Sequence, residues 1–177
     1  MSKSQVKSKE RVANHGEVYT SSREVNAMLD LVKQETERID SRFLEPACGT
    51  GNFLAEILNR KLSIVSNRYK MNQIEYEKYS IIAVSSLYGI DILEDNVIEC
   101  RHRLYTIFIE QYNSLFNELT KDECKNAILY LLSKNIIWGD ALTLRTVGEK
   151  PSPIVFSEWS AVNSNKIKRR DFIMEHL

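Results

Sequence analysis

The sequence predicts an α/β fold built on a mostly parallel sheet. Short apolar runs rich in β-branched residues alternate with longer segments in which apolar residues recur every three or four positions. Strands that alternate with helices are joined by right-handed crossovers, which makes neighbouring strands parallel. The 177 residues fit one ordinary domain, and 43% apolar with 27% charged residues is typical of a globular chain.

An N-terminal helix is predicted after a short flexible segment. Residues 1–13 are polar and lysine-rich, which predicts a flexible basic N-terminus. Ser21 and Glu24 form a capping-box pattern, in which each side chain bonds the backbone of the other residue. Apolar residues recur behind it at helical spacing, so an amphipathic helix is expected from residue 22 to about residue 38.

A strand, a glycine turn and a second helix follow. Residues 42–46 are a short run that ends in proline, which favours a buried strand. Residues 47–51 read Ala-Cys-Gly-Thr-Gly, and helical apolar spacing resumes at Phe53. Residues 71–79 also allow a helix. The predicted order is therefore strand, tight turn and helix.

The rest of the chain alternates in the same way. Further strands are predicted over residues 81–92, 135–138 and 153–156. One further helix is predicted over residues 97–116, and another begins after a capping box at Thr120 and Glu123. The basic tail from Lys166 is predicted to be a short helix. The sequence therefore contains about four recognisable strands.

Charge divides the chain into three parts. Lys plus Arg and Asp plus Glu both number 24, so the net charge is zero. Residues 1–11 carry +3 and residues 166–177 carry +2, which leaves −5 for the body. We predict one domain over residues 14–165, followed by a basic tail at 166–177. Net charge alone gives no argument for nucleic-acid binding.

Composition also argues against several classes of protein. The longest uncharged run, residues 79–90, is shorter than the roughly 18 apolar residues of a membrane-spanning helix. The lysine-rich N-terminus lacks the apolar region of a signal peptide. Three cysteines without CxxC spacing fit a reducing cytoplasm, and the three histidines are scattered, so no metal site is predicted.

The glycine turn carries the first chemical signal. Glycine at positions 49 and 51 lets the backbone approach a ligand closely, and the following helix N-terminus offers free N–H groups. The dinucleotide pattern GxGxxG fails at Leu54, and the phosphate-loop pattern GxxxxGK[ST] is absent. A plain tight turn is the alternative interpretation.

Two aspartates end the second and third predicted strands. Ligands of open α/β sheets lie beyond the carboxyl ends of the strands. At that edge Asp91 can accept both hydroxyls of a ribose, and Asp140 can accept from the exocyclic amine of an adenine. Each aspartate alone is more simply a helix cap. Together with the glycine turn they predict one pocket for an adenosine-containing ligand.

These motifs resemble those of the S-adenosylmethionine-dependent DNA adenine-N6 methyltransferases of restriction–modification systems. Residues 43–54, Phe-Leu-Glu-Pro-Ala-Cys-Gly-Thr-Gly-Asn-Phe-Leu, are similar to the cofactor loop of that family. Gly16–Thr20 resembles its N-terminal cofactor motif, Tyr88–Ile92 its ribose motif, and Ile137–Ala141 its adenine-amine motif. The resemblance implies a Rossmann-like methyltransferase fold over about residues 14 to 143.

The resemblance also implies a cofactor, S-adenosylmethionine, and a role for each matching residue. Thr20 would hold the cofactor carboxylate. Asp91 would hold the ribose, Ile92 a face of the adenine, and Asp140 the adenine amine. The residues expected to bind the cofactor are Tyr19, Thr20, Glu45, Pro46, Ala47, Gly49, Gly51, Asn52, Phe53, Asp91, Ile92 and Asp140. Ser21 departs from the family, which usually has proline there.

The catalytic motif of the family is not found. Its Asn/Asp/Ser-Pro-Pro-Tyr/Phe turn holds the target amine and stacks on the extruded base. This chain has three prolines, none adjacent, and Ser157-Glu158-Trp159 stands at the expected position. In one interpretation Trp159 stacks on a base while Ser157 or Glu158 accepts its amine protons. In the other, which the missing turn favours, the motif is lost and Trp159 packs.

Two functions remain open. A sheet of this family has about seven strands, so four imply either a truncated or split enzyme or a half that works with a partner on its open sheet edge. The first function is a DNA adenine-N6 methyltransferase, and the second is a non-catalytic cofactor-binding subunit, decoy or regulator of a restriction or phage system. The tail offers Lys166, Lys168, Arg169 and Arg170 to DNA phosphates, or is a solvated helix end.

Overall fold

A computed structural model describes residues 20–162 and 166–176, which form six α-helices and six β-strands. The helices are α1 (Ser22–Asp30), α2 (Lys33–Thr36), α3 (Asn52–Tyr69), α4 (Gln73–Ser85), α5 (Glu94–Phe116) and α6 (Asp122–Asn135). The strands are β1 (Phe43–Glu45), β2 (Leu87–Asp91), β3 (Ile136–Asp140), β4 (Arg145–Thr146), β5 (Val155–Val162) and β6 (Lys166–Ile173). The predicted α/β class is confirmed.

Four strands form a mixed, mostly parallel sheet in the order β1-β2-β3-β4. The first three are parallel, and β4 joins antiparallel beside β3. The register places Glu45 level with Gly89 and Asp91 level with Trp138. The carboxyl ends of β1, β2 and β3 therefore share one edge. Among the described residues, β1 has a neighbouring strand on one side only.

The two faces of the sheet are covered differently. On one face, Gly89 lies so close to α3 that an added Cβ would be 3.0 Å from Leu54 Cδ1. On the other face, Tyr88 packs edge-on against Phe156 of β5, with ring centroids 5.1 Å apart. The helices thus cover the first face and the β5–β6 hairpin covers part of the second. Leu44 of β1 stays 46% exposed on that second face.

The hairpin corrects two predictions. Strand β5 pairs with β6 rather than joining the parallel sheet, so the predicted fourth parallel strand is wrong. The basic tail is a strand, not the predicted helix, and its pairing crosses the predicted boundary at residue 166. Strand geometry puts residues two apart on one face. Arg169 and Asp171 use this spacing for a bidentate ion pair, with N···O distances of 2.7 and 2.8 Å.

Local signals at the N-terminal helix and the glycine turn are confirmed. Ser21 and Glu24 make both bonds of the capping box. Three other element predictions are wrong. The helix predicted to extend to residue 38 ends at Asp30 and is followed by the single turn α2. Residues 81–85 belong to helix α4 and not to the predicted strand. The capping box predicted at Thr120 and Glu123 does not form, because α6 has no side-chain cap bond. A buried helical run and a buried strand share the same apolar pattern, which explains the second error.

A buried lysine ties α3 to the segments that enter β1 and β2. The Lys61 Nζ donates to the carbonyl of Ile39 (3.2 Å), to the carbonyl of Ser41 and to the hydroxyl of Ser86 (2.5 Å). Lys61 is fully buried, and burial lowers its pKa to about 7. The amino edge of the sheet is therefore fixed by a polar group in the core.

Among residues 20–162 and 166–176, none of the helices combines the length and the apolar character that a bilayer crossing requires.

Candidate ligand-binding site at the carboxyl edge of the sheet

An acidic side chain ends each of the three parallel strands: Glu45 ends β1, Asp91 ends β2 and Asp140 ends β3. Their strand positions match that of Gly89, so all three lie on the helix-covered face. The register staggers successive acids by two residues. At about 3.3 Å per residue and about 4.8 Å between strands, Glu45 and Asp140 lie on the order of 15 Å apart. A ligand that contacts all three must be elongated.

The loop between β1 and α3 needs glycine at two positions. The Cys48 N–H donates to the Ile90 carbonyl (2.8 Å), and the Gly51 N–H donates back to the Cys48 carbonyl (2.8 Å). Gly49 and Gly51 have φ of 52° and 83°, in the left-handed region that favours glycine. An added Cβ at Gly51 would lie 2.6 Å from the Cys100 Sγ of α5. The loop is thus pressed against α5 and bonded to β2.

Asp91 holds this loop. Its Oδ2 accepts from the Gly49 N–H (2.8 Å), and its Oδ1 accepts from the Leu93 N–H (2.9 Å) and from the Asn96 Nδ2 (3.2 Å). Asp91 is only 8% exposed. Both carboxylate oxygens of Asp91 therefore bond to the protein, one to the glycine loop and one to the start of α5. Asp91 thus holds the loop, and its predicted bonds to a ribose stay a prediction.

The other two acids differ from each other. Burial raises the pKa of the half-buried Glu45. The Asp140 carboxylate accepts from the Leu142 N–H (2.8 Å) and from the Thr143 hydroxyl (3.0 Å), and these bonds lower the pKa of Asp140. Asp140 therefore stays ionised at lower pH than Glu45 does, and it keeps acceptor positions for a ligand.

Two apolar side chains, Ile92 and Trp138, neighbour Asp91 in the chain and in the sheet register. Ile92 follows Asp91 directly and is 47% exposed, and the Trp138 Nε1 donates to its carbonyl (3.0 Å). Trp138 itself is half-buried and pairs with Asp91 in the sheet register. Either side chain can pack against one face of a flat ring. Of the loop residues predicted to bind the cofactor, Pro46 and Ala47 are exposed and Phe53 is half-buried against the core.

A chain of hydrogen bonds joins the first turn of α3 to the start of α1 and to α5. The Asn52 Nδ2 donates to the Thr20 carbonyl (3.1 Å), and the Arg103 Nη1 donates to the Asn52 Oδ1 (2.5 Å). A cavity of about 220 Å³ lies beside these groups. Tyr19, predicted with Thr20 as part of the site, lies outside the described residues.

Ser157, Glu158 and Trp159 lie at the opposite edge of the sheet. The Ser157 hydroxyl is buried and donates to Asp171 (2.7 Å). Glu158 pairs at 2.8 Å with Arg42, which directly precedes β1. Trp159 packs edge-on against Tyr130 of α6. A cavity of about 680 Å³ at this amino edge includes Glu158 and Trp159 in its wall. The structure does not bring these candidates to the three carboxylates.

The basic residues of β6 are not equally available. Arg169 is held by Asp171 and lies over the rings of Trp159 and Tyr130, with 5.6 and 5.9 Å from its Cζ to the centroids. Lys168 and Arg170 are exposed, and the Arg170 Cζ lies 5.8 Å from the centroid of the Phe172 ring. The Lys166 side chain lies outside the described residues.

Sequence reasoning did not identify Asn96 or Arg103 as part of this region, and it gave no role to Trp138 within the motif Ile137–Ala141. Asn96, Cys100 and Arg103 follow Asp91 at i, i+4 and i+7 spacing on α5, which places them along one side of that helix. Polar residues at helical spacing directly after a strand-ending aspartate were the available signal.

Comparisons of this chain with protein-family models, with curated proteins and with solved structures found no match.

Proposed function

We propose that this chain is an S-adenosylmethionine-binding domain of the DNA adenine-N6 methyltransferase type. The observation that carries the proposal is the line of Glu45, Asp91 and Asp140 along one sheet edge, beside a loop with two left-handed glycines. S-adenosylmethionine is an elongated molecule that joins an amino acid, a ribose and an adenine in one line. Its shape suits a site whose outer acids are on the order of 15 Å apart.

The residues at this edge fit that cofactor in charge and in shape. S-adenosylmethionine carries an ammonium and a sulfonium cation, which three nearby carboxylates favour. The exposed side chain of Ile92 offers apolar surface for one face of the adenine. In this proposal the Asp91 carboxylate accepts from the ribose and the Asp140 carboxylate accepts from the adenine amine.

Each residue then has a distinct task. Bound at this edge, the cofactor would supply an electrophilic methyl group for transfer to a target amine. Thr20 and Glu45 hold the amino-acid end, and Asp140 orients the adenine end. Asp91 fixes the Gly49 backbone as well as the ribose. That bond fixes the loop against β2, and a loop fixed by its own contacts loses less entropy on binding.

The sheet supports a Rossmann-like assignment as part of this proposal. Three parallel strands in chain order, with both crossovers passing through helices on one face, are the arrangement of one half of a doubly wound sheet. The uncovered side of β1 and the half-exposed Leu44 offer an edge and an apolar face to a strand of a partner protein or of a second copy.

A non-catalytic cofactor-binding module is the second candidate. It is favoured by the position of Ser157, Glu158 and Trp159, which the hairpin holds at the amino edge, away from the cofactor residues. In that case the chain acts as a subunit, decoy or regulator. DNA contact, in either case, would depend on Lys168 and Arg170, because Arg169 is engaged by Asp171.

Isothermal titration calorimetry with S-adenosylmethionine tests the shared premise. The wild type should bind, and Asp140→Ala should weaken binding by about tenfold, the ratio expected for a hydrogen bond to a charged group. Asp122→Ala is the matched control, because Asp122 lies 86% exposed on α6 and contacts only Lys125 among the described ion pairs. Absence of binding by the wild type, or equal affinity in Asp140→Ala, would refute the site.

Methyl transfer separates the two candidates. The purified chain is incubated with labelled S-adenosylmethionine and unmethylated DNA. Incorporation into adenine by this chain alone would exclude the non-catalytic module. If labelled methyl appears, Trp159→Ala should retain it, because Trp159 packs on Tyr130 at the far edge. Loss of transfer with cofactor binding intact would restore Trp159 as the base-stacking residue.

A further inference from the structure

Arg103 of α5 is hydrogen-bonded to the residue that directly follows the glycine loop. Its Nη1 donates to the Asn52 Oδ1 (2.5 Å), and Asn52 directly follows Gly51 at the start of α3. The same Asn52 amide donates to the Thr20 carbonyl (3.1 Å). One hydrogen-bonded relay therefore joins the guanidinium, the glycine loop and the residue expected to hold a carboxylate.

The guanidinium has unused donors. Arginine carries five N–H donors, and one of them serves Asn52. Over the described residues, Arg42, Arg60 and Arg169 each have a carboxylate oxygen within 2.7 to 2.9 Å, whereas Arg103 has no such ion pair. Arg103 is exposed, so its remaining donors are open to solvent or to a ligand.

Charge explains why a cation is needed here. The carboxylates of Glu45, Asp91 and Asp140 favour the positive groups of a ligand but repel a ligand carboxylate. An amino-acid ligand carries both signs. The neighbouring cavity of about 220 Å³ is lined by Arg103, Asn52 and Glu56 among others, and the Glu56 charge is offset by Arg60 at 3.2 Å. Arg103 is thus the cation in that wall without an acidic partner among the described residues.

We infer that Arg103 binds the carboxylate of the ligand's amino-acid part and so selects amino-acid-bearing adenosine compounds over nucleosides that lack the amino acid. The inference rests on the proposed function. A guanidinium matches a carboxylate with two parallel N–H···O bonds, which gives direction as well as charge. The hydrogen bond to Asn52 fixes one nitrogen of the guanidinium.

Calorimetry with two ligands tests this. S-adenosylmethionine carries the amino acid, and 5′-methylthioadenosine lacks it. Arg103→Met should weaken S-adenosylmethionine binding by about tenfold, as for one charge-assisted hydrogen-bonded contact, and should leave methylthioadenosine binding within about twofold. Arg103→Lys should recover part of the loss, because it keeps the charge without the planar fork. Arg68→Met, an exposed arginine of α3 at the amino edge, should change neither affinity.

The outcomes are distinguishable. An equal loss for both ligands would mean that Arg103 only supports the structure, and no loss for either would mean that it does not contact the ligand; both overturn the inference and leave the proposed function standing. If the wild type binds no S-adenosylmethionine, the proposed function fails and the inference with it. Thermal unfolding of each variant checks that the fold is intact.

Discussion

Replacing Gly51 with alanine tests how the glycine loop is held against α5. Gly51 has φ of 83°, and its added Cβ would lie 2.6 Å from the Cys100 Sγ and 3.5 Å from the Cys100 Cβ. The substitution therefore has two separate costs. One is the left-handed backbone of a residue with a Cβ, and the other is an overlap with a fully buried side chain.

The two costs have different sizes and can be separated. A left-handed conformation costs a non-glycine residue about 1–2 kcal/mol. Overpacking by one methyl group in a tight core costs about 1–3 kcal/mol. Gly51→Ala should therefore lower the free energy of unfolding by about 2–5 kcal/mol. Cys100→Ala removes the overlapping sulfur and leaves only the backbone cost for the second substitution.

Urea unfolding of the wild type, both single variants and the double variant forms a double-mutant cycle. The expected coupling energy is about 1–3 kcal/mol. The double variant should lose less free energy of unfolding than the two single variants lose together. A coupling below about 0.5 kcal/mol, the range of independent sites, would show that Gly51 and Cys100 do not meet and that the loop is held elsewhere. The same series titrated with S-adenosylmethionine reports whether loop geometry controls binding.

Three other substitutions test separate contacts. Burial lowers the pKa of Lys61 to about 7, so between pH 7 and pH 10 the unfolded chain binds a proton that the folded protein releases; stability contributed at this site is present at high pH and is lost as the pH falls toward 7. The free energy of unfolding of the wild type relative to Lys61→Met should therefore fall by about 3 kcal/mol from pH 10 to pH 7, and a difference that stays flat would refute a buried lysine with a lowered pKa. Burial raises the pKa of Glu45, so S-adenosylmethionine affinity should drop on acidification above the ordinary carboxylate range; Glu45→Gln should abolish that dependence, and an unchanged pH profile would exclude Glu45 from the site. Asn117 has φ of 45° at the end of α5, so Asn117→Gly should raise the unfolding free energy by about 1 kcal/mol in urea denaturation, whereas a loss would show that the Asn117 side chain itself stabilises the turn.

Local patterns account for what sequence reasoning predicted correctly. The Ser21–Glu24 capping box involves residues three apart, and the glycine turn is set by the torsions of Gly49 and Gly51 themselves. The alternation of strands and helices follows from the spacing of neighbouring apolar residues. The parallel sheet then places the acid at the end of each predicted strand on one edge. The order of the strands and helices, and the edge of the sheet at which these acids lie, were thus predictable from the sequence alone.

The errors arise where a distant contact decides the conformation. The apolar pattern of residues 81–85 fits a buried helix as well as a buried strand. Packing against other elements makes these residues the end of α4. The basic residues from Lys166 form a strand because β5 supplies a partner along its whole length. Neither signal exists within a window of neighbouring residues.

The sequence by itself determined the α/β class, the glycine loop and the order of Glu45, Asp91 and Asp140, because each depends on residues close in the chain. Tertiary structure alone decided that Asp91 holds the glycine loop, since its partner Gly49 lies 42 positions away. Tertiary structure also decided that Glu158 lies at the amino edge, because its ion-pair partner Arg42 is 116 positions away in the chain. Contacts between such remote residues depend on how the sheet and helices pack, which no local pattern specifies.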